Sequence, residues 1–253
     1  MDTATFRFYA DLNDFLPPQR RQVAFAYPVH DGNQSVKHLI EALGIPHTEV
    51  SLILVDGRAV GFNHIVERNQ TISVYPPFSR LDLATVSELR PPLPAPIRFL
   101  LDNHLGRLAR YLRLLGFDTL YFRNQLDDEE LADLSHQTQR VLLTRDRGLL
   151  KRSQVIFGYC LRSVDPNEQL KSVILRFNLS QDIDPWKRCL RCNGNLQPVE
   201  KKTIIDRLEP KTKRYFETFW QCSDCQQIYW RGSHFGKLQG FIDDIQSEFR
   251  DST

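Results

Sequence analysis

The sequence predicts an α/β protein: a three-layer domain with a parallel sheet, preceded by a small ββαββ unit and followed by a small metal-stapled ribbon. Three observations predict it. A proline-rich break sets off the front of the chain, apolar runs alternate with helical periodicity behind it, and two Cys-x-x-Cys pairs close the chain. The length of 253 residues suits two or three compact units, and 41% hydrophobic with 25% charged residues is the balance of a folded chain. No apolar run reaches the roughly 18 residues of a membrane helix. The start, MDTATFRFYADLND, lacks the basic-then-apolar pattern of a leader, so a cytoplasmic protein without a membrane partner is expected.

The break is Arg90-Pro91-Pro92-Leu93-Pro94-Ala95-Pro96, where neither a helix nor a sheet ladder can continue. It places a stiff linker over 83–96 and a first domain over 1–82. Within that domain, ATFRFYADL and QVAFAYPV read as strands, and Val36, Leu39, Ile40 and Leu43 share one helical face behind a Ser35 cap. SLILVDGRAV, with an Asp56-Gly57 turn, and TISVYPP add two strands, which completes a β-grasp. The segments TFRFYADLNDFL and LILVDGRAVGFNHIVERNQTISVYPPFS resemble the small sulfur-carrier branch of the ubiquitin-like fold. Those carriers act through a free Gly-Gly carboxyl terminus, whereas here Pro76-Pro77-Phe78-Ser79 runs on into Arg80-Leu81-Asp82. The expectation is an accessory module that docks a partner protein.

Net charge is +2, and it comes from the middle of the chain: residues 97–180 hold 13 Lys+Arg against 10 Asp+Glu. There Ile97–Leu101, Thr119–Phe122, Val141–Thr144 and Val155–Leu161 read as strands. His104–Leu115, Asp128–His136, Gly148–Arg152 and Pro166–Phe177 read as helices, with Gly116 closing the first and Asp165 capping the last. Ligands of an open parallel sheet bind beyond the carboxyl ends of its strands. Those ends are acidic. Asp102 follows IRFLL, Asp127-Asp128-Glu129-Glu130 opens the second helix, and Asp146 follows VLLTR. Carboxylates held close together call for a bridging cation, and hard oxygen donors suit Mg²⁺ or Mn²⁺ in phosphodiester cleavage.

Asp102, Asp128, Glu129 and Asp146 are therefore the candidate catalytic acids, with Asp102, Asp128 and Asp146 as metal ligands. Asp127 with Glu130 fits a capping box instead, and Asp118 precedes its strand and so belongs to the opposite edge. Asn103 and Thr144 offer neutral oxygens beside the acids, and Arg145 a cation, so these three are candidate substrate contacts. Along HLGRLARYLRLLG, Arg107, Arg110 and Arg113 lie opposite the apolar arc, so Arg107 and Arg110 are candidate phosphate contacts and Arg113 a solvated side chain.

The runs FLLDNHLGRLARYLRLLGFDTLYF, DDEELADLSHQTQRVLLTRDRGLLKR and EQLKSVI resemble the Mut-seven C-terminal RNase family, a PIN-like nuclease group, over 97–180. The resemblance implies a divalent-metal ribonuclease, with Asp102, Asp128 or Glu129, and Asp146 matching the family's acidic positions. One departure is Arg147-Gly148, where many PIN-like proteins carry a further acid.

Residues 181–253 hold Cys189-x-x-Cys192 and Cys222-x-x-Cys225, 29 residues apart, the spacing of a four-cysteine zinc ribbon whose closed ligand set is structural. Lys201, Lys202, Lys211, Lys213 and Arg214 interleave with Tyr215, Phe216, Phe219 and Trp220. The run Tyr229-Trp230-Arg231-Gly232-Ser233-His234 follows. Cations mixed with aromatics suit single-stranded RNA and make Trp230 and His234 candidate contacts; the same rings also suit a β-ribbon's own packing. Two other classes remain open. One is a non-catalytic RNA- or ribosome-binding adaptor whose acids are helix caps, and the other is sulfur transfer through Cys160 or a Cys-x-x-Cys pair.

Overall fold

The computed structural model describes residues 2–30, 33–77, 89–123, 125–232 and 235–250. The chain forms two compact units, 1–102 with 124–162, and 103–123 with 163–253. In chain order the front contains β1 (Thr3–Phe8), β2 (Phe25–Pro28), α1 (Val36–Ala42), β3 (Leu52–Val55), β4 (Arg58–Ala59) and β5 (Thr71–Tyr75). After the proline-rich segment come β6 (Phe99–Leu101), α2 (Gly106–Leu114), β7 (Thr119–Tyr121), α3 (Asp128–Thr138), β8 (Val141–Thr144), α4 (Arg147–Leu150), β9 (Gly158–Cys160) and α5 (Pro166–Phe177). The chain ends with β10 (Leu196–Val199), α6 (Lys201–Ile204), α7 (Pro210–Tyr215), β11 (Phe219–Cys222), β12 (Ile228–Trp230) and α8 (Phe235–Arg250).

In the first unit, strands β2-β1-β5-β3-β4 form a mixed sheet with β1 parallel to β5 and its other pairs antiparallel, as a β-grasp requires. Alternation along β1 buries Ala4, Phe6 and Phe8, α1 buries Val36, Leu39 and Ile40, and Ser35 Oγ accepts the His38 N–H to start that helix. The proline-rich segment is held as well, because Arg90 donates to the Thr48 and Val50 carbonyls and to Ser51 Oγ.

The same unit holds the parallel strands β6, β8 and β9, in register Phe99↔Val141 and Leu142↔Gly158. All three are buried along their length, which is why they read as unbroken apolar runs rather than as alternation. Strand β9 is shorter than expected, since Val155 and Phe157 are buried in the approach to it.

The β-grasp residues pack against the strand β9 side of this sheet. Glu49, fully buried, accepts the Cys160 N–H at 2.6 Å and faces the Arg162 guanidinium at 3.4 Å. Burial disfavours the Arg162 charge, but Glu49, Tyr159 and Asp11 around it raise its pKa nonetheless. His47 bridges Glu41 and the Val155 carbonyl, Lys151 donates to the Glu41 carbonyl, and Arg147 lies 4.9 Å over the Phe15 ring.

In the second unit, α2 buries Leu108, Ala109 and Leu112. Gly116 ends it at φ +97°, with the Asp184 carbonyl where any Cβ would stand. Helix α5 starts on the expected Asp165 cap with Pro166 in its first turn. Strands β10, β11 and β12 form an antiparallel ribbon over Ile204, Leu208, Phe219 and Ile228. Helix α8 buries Ile242, Ile245 and Phe249, sets Phe241 against Tyr111 with the rings tilted by 35°, and pairs Glu248 with Lys171 at 3.0 Å. No helix among the described residues is long and apolar enough to cross a membrane.

Candidate active site and metal centre

Strands β6 and β8 run side by side, so the residues that leave their carboxyl ends are neighbours. The Asp102 N–H bonds the Leu143 carbonyl, which continues the ladder by one residue. Thr144, buried at 0% exposure, then donates its hydroxyl to Asp102 Oδ2 at 2.6 Å and accepts the Asp146 N–H at 2.9 Å. One hydroxyl thus fixes Asp102 against the backbone that carries Asp146. Thr144, expected as a substrate contact, is buried and its hydroxyl proton is committed to Asp102. Asp146 also caps α4, its Oδ1 accepting the Gly148 and Leu149 N–H groups.

Helix α3 runs into β8 through the two residues Gln139 and Arg140, so its amino terminus lies toward the same carboxyl edge, and it packs on α4. The capping box is formed: Asp127 Oδ1 accepts the Glu129 and Glu130 N–H groups, and the Glu130 carboxylate accepts the Asp127 N–H in return. That leaves Asp128 and Glu129 exposed on the first turn, away from the cap. Arg145 is exposed too. Asp102, Asp128, Glu129, Thr144, Arg145 and Asp146 all belong to the first unit, while Asn103, Arg107, Arg110, Trp230 and the four cysteines belong to the second. His234 lies outside the described residues.

Arg113 requires a correction. Rather than a solvated side chain, it is 4% exposed and donates to the Thr119, Leu190 and Arg191 carbonyls at 2.9, 3.3 and 3.1 Å. Helical periodicity compares a side chain only with its own helix, and the knuckle that satisfies Arg113 lies far along the chain. Asp118 is not among the acids of the carboxyl edge, as expected. It pairs with Arg188 at 3.5 Å and accepts from Asn193 Nδ2 at 2.8 Å.

The Sγ atoms of Cys189, Cys192, Cys222 and Cys225 all lie within 4.8 Å of one another. The closest pairs, Cys189 with Cys225 and Cys192 with Cys222, are 3.6 and 3.4 Å apart. A tetrahedron with bonds of about 2.3 Å has edges of about 3.8 Å, so the cluster can hold a metal ion. Gly194 is required here, because a Cβ would stand 2.7 Å from Cys222 Sγ and 2.6 Å from the Asp224 carboxylate. Tyr229 Oη lies 3.1 Å from Cys189 Sγ and accepts the Leu190 N–H. Burial pushes the Cys189 thiol up, but bonds from Tyr229 and nearby N–H groups bring it down to about 7, while burial and crowding push Cys192 up to about 12. Cys160 is buried and its thiol is pushed up to about 11, the reverse of an activated nucleophile.

The model of the Mut7-C RNAse domain matches residues 97–242, more than half of the chain. The chain belongs to that family. The Mut7-C ubiquitin model matches residues 1–82, so the β-grasp is ubiquitin-like. The human exonuclease mut-7 homolog is 37% identical over 109 residues, 41% of this chain and 12% of that protein. The chain therefore matches only a small part of that relative's length. No solved structure matches the chain. The Mut7-C RNAse match spans both the acidic carboxyl edge and the four-cysteine cluster.

Proposed function

We propose that the protein is a cytoplasmic ribonuclease that hydrolyses RNA phosphodiesters with Mg²⁺ or Mn²⁺ at Asp102, Asp146 and Asp128 or Glu129. The observation that carries this reading is the Asp146 N–H to Thr144 to Asp102 chain of hydrogen bonds, which ties Asp102 to the backbone of Asp146 just beyond two adjacent buried strands. Among the described residues the acids do not form a ready cage of three, as the cysteines do. That donor set suits an ion that keeps several waters, as Mg²⁺ does. Such an ion would supply an activated water and offset charge on the phosphate. Asp102, Asp146 and Asp128 or Glu129 would hold it with their hard oxygens, and Arg145 would meet a phosphate. Asn103, Arg107, Arg110, Trp230 and His234 are the proposed RNA contacts, and Zn²⁺ on the four cysteines holds the ribbon that carries Trp230.

We further propose the domain order 1–82, 83–96, 97–180 and 181–253. A protein partner of the ubiquitin-like domain would meet faces other than the one carrying Glu41, His47 and Glu49, which are engaged within the unit. A second reading, an RNA- or ribosome-binding adaptor, is favoured by the capping roles of Asp127 and Asp146. The test is cleavage of labelled single-stranded and structured RNAs with Mn²⁺ or Mg²⁺, wild type beside an Asp102→Asn/Asp146→Asn double variant of equal fold and zinc content. Metal-dependent cleavage lost in the variant is expected. Equal RNA binding with no cleavage by either protein selects the adaptor.

A further inference from the structure

The second unit contains three cavities that share walls. The first, about 400 Å³, is lined by Trp186, Trp220, Trp230, Phe235, Leu190 and Tyr229 among others, within the volume range of small-ligand pockets. A second, of about 430 Å³, shares Leu190 and Tyr229 with it and adds Arg110 and Arg191. A third, of about 160 Å³, shares Leu190 and adds Arg107 and Arg110. An aromatic pocket thus shares its wall residues with two cavities lined by arginines.

The charges are available. Arg107, Arg110 and Arg191 are exposed, and among the described residues no carboxylate lies within ion-pair distance of them. In the aromatic part, Trp186 stacks on Phe235 at 4.6 Å, and the Arg231 guanidinium lies 5.7 Å over Trp220 and 5.2 Å over Phe235. Trp230 is 37% exposed, high for so large an apolar side chain.

We propose that this groove binds an unpaired nucleotide of a single RNA strand, its base stacked among Trp220, Trp230 and Phe235 and the adjoining phosphates on Arg107, Arg110 and Arg191. The proposal rests on the ribonuclease reading for its choice of nucleic acid. Flat aromatic walls beside cations that have no carboxylate partner among the described residues match the planar base and the phosphate of a nucleotide; a phospholipid would bring a phosphate but a flexible chain in place of a planar ring. Tyr229 lines the groove while its hydroxyl holds Cys189, so the groove and the metal cluster share a wall.

The test uses the full chain carrying Asp102→Asn, so that the strand is not consumed, with a labelled oligouridylate read by anisotropy and by tryptophan emission. Expected are quenching on binding and about tenfold weaker binding for Trp230→Ala, since a stacked base is worth about 5- to 150-fold. Trp230→Phe should restore most of it. Arg110→Gln, at an exposed position, should lower the slope of log affinity against log salt by about 0.7, which a merely structural role would not move. A blunt duplex should compete poorly. Binding without quenching, or both Trp230→Ala and Arg110→Gln binding like their parent, overturns the groove even where the wild type cleaves RNA. Quenched binding beside a wild type that cleaves nothing leaves the groove standing and overturns the nuclease.

Discussion

Replacing Arg113 with Met keeps the length and apolar stem of the side chain and removes its guanidinium. The loss falls on the Thr119, Leu190 and Arg191 carbonyls, the last two lying between Cys189 and Cys192. A hydrogen bond from a charged donor is worth about 1.5–3 kcal/mol, so the two shorter bonds together give about 3–6 kcal/mol. Relief from burying the charge, the largest influence on this guanidinium and the one that lowers its pKa, returns about half of that. A net cost of about 1.5–3 kcal/mol follows, or about 3–12 °C in Tm. Because the knuckle carbonyls lose their donor, metal should also pass faster to a chromophoric chelator. Thermal melting and chelator kinetics check both, with Arg113→Lys intermediate. A Tm unchanged to within about 1 °C, together with unchanged metal release, would refute the argument that Arg113 braces the knuckle.

Other substitutions separate structure from chemistry. Asp146→Asn keeps an oxygen to cap α4 and should melt like wild type while losing Mn²⁺-dependent RNA cleavage, whereas Asp146→Ala should also lose about 1 kcal/mol in urea titration. Glu49→Ala strips a buried partner from Arg162 and leaves the Cys160 N–H unmet, so urea unfolding should show a loss of about 3–5 kcal/mol. The Cys160 thiol, at about 11 against an ordinary value of 9.0, favours folding above pH 11 less than below pH 9: its raised pKa stabilises the fold fully at the lower pH, and that contribution is lost as pH rises toward 11. The loss is up to about 2–3 kcal/mol. Comparing wild type with Cys160→Ala in urea at pH 8 and pH 10.5 should therefore show a steeper decline for wild type.

Features governed by near neighbours in the chain were legible in the sequence. Ser35, the Asp127 and Glu130 pair, Asp165 and Gly116 all act within one helical turn, and each does what its position predicts. The acids after IRFLL and VLLTR were legible because a buried parallel strand delivers its next residue to one edge. Features that depend on distant partners were not. Arg113 read as a solvated side chain and Glu49 carried no signal, since their partners lie 77 and 113 residues away. Thr144 read as an oxygen for substrate because only the register of β8 beside β6 turns its hydroxyl on Asp102. The segment between the cysteine pairs read as ribbon, yet Lys201–Ile204 and Pro210–Tyr215 are helical, with Glu200 and Glu209 just ahead and Pro210 in a first turn. Helix α8 had no counterpart in the sequence reading, and with it went Phe235 as a wall of the groove.

The bond between Glu49 and the Cys160 N–H joins residues 111 positions apart. During synthesis at about 5–20 residues per second, Glu49 would emerge several seconds before its partners exist. Until then its carboxylate must stay hydrated, because a lone buried charge is too costly to tolerate. The ubiquitin-like half can form its strands early, but it cannot close the side that bears Glu49 before residue 162 is out. The order of translation therefore leaves that side unclosed until Arg162 arrives.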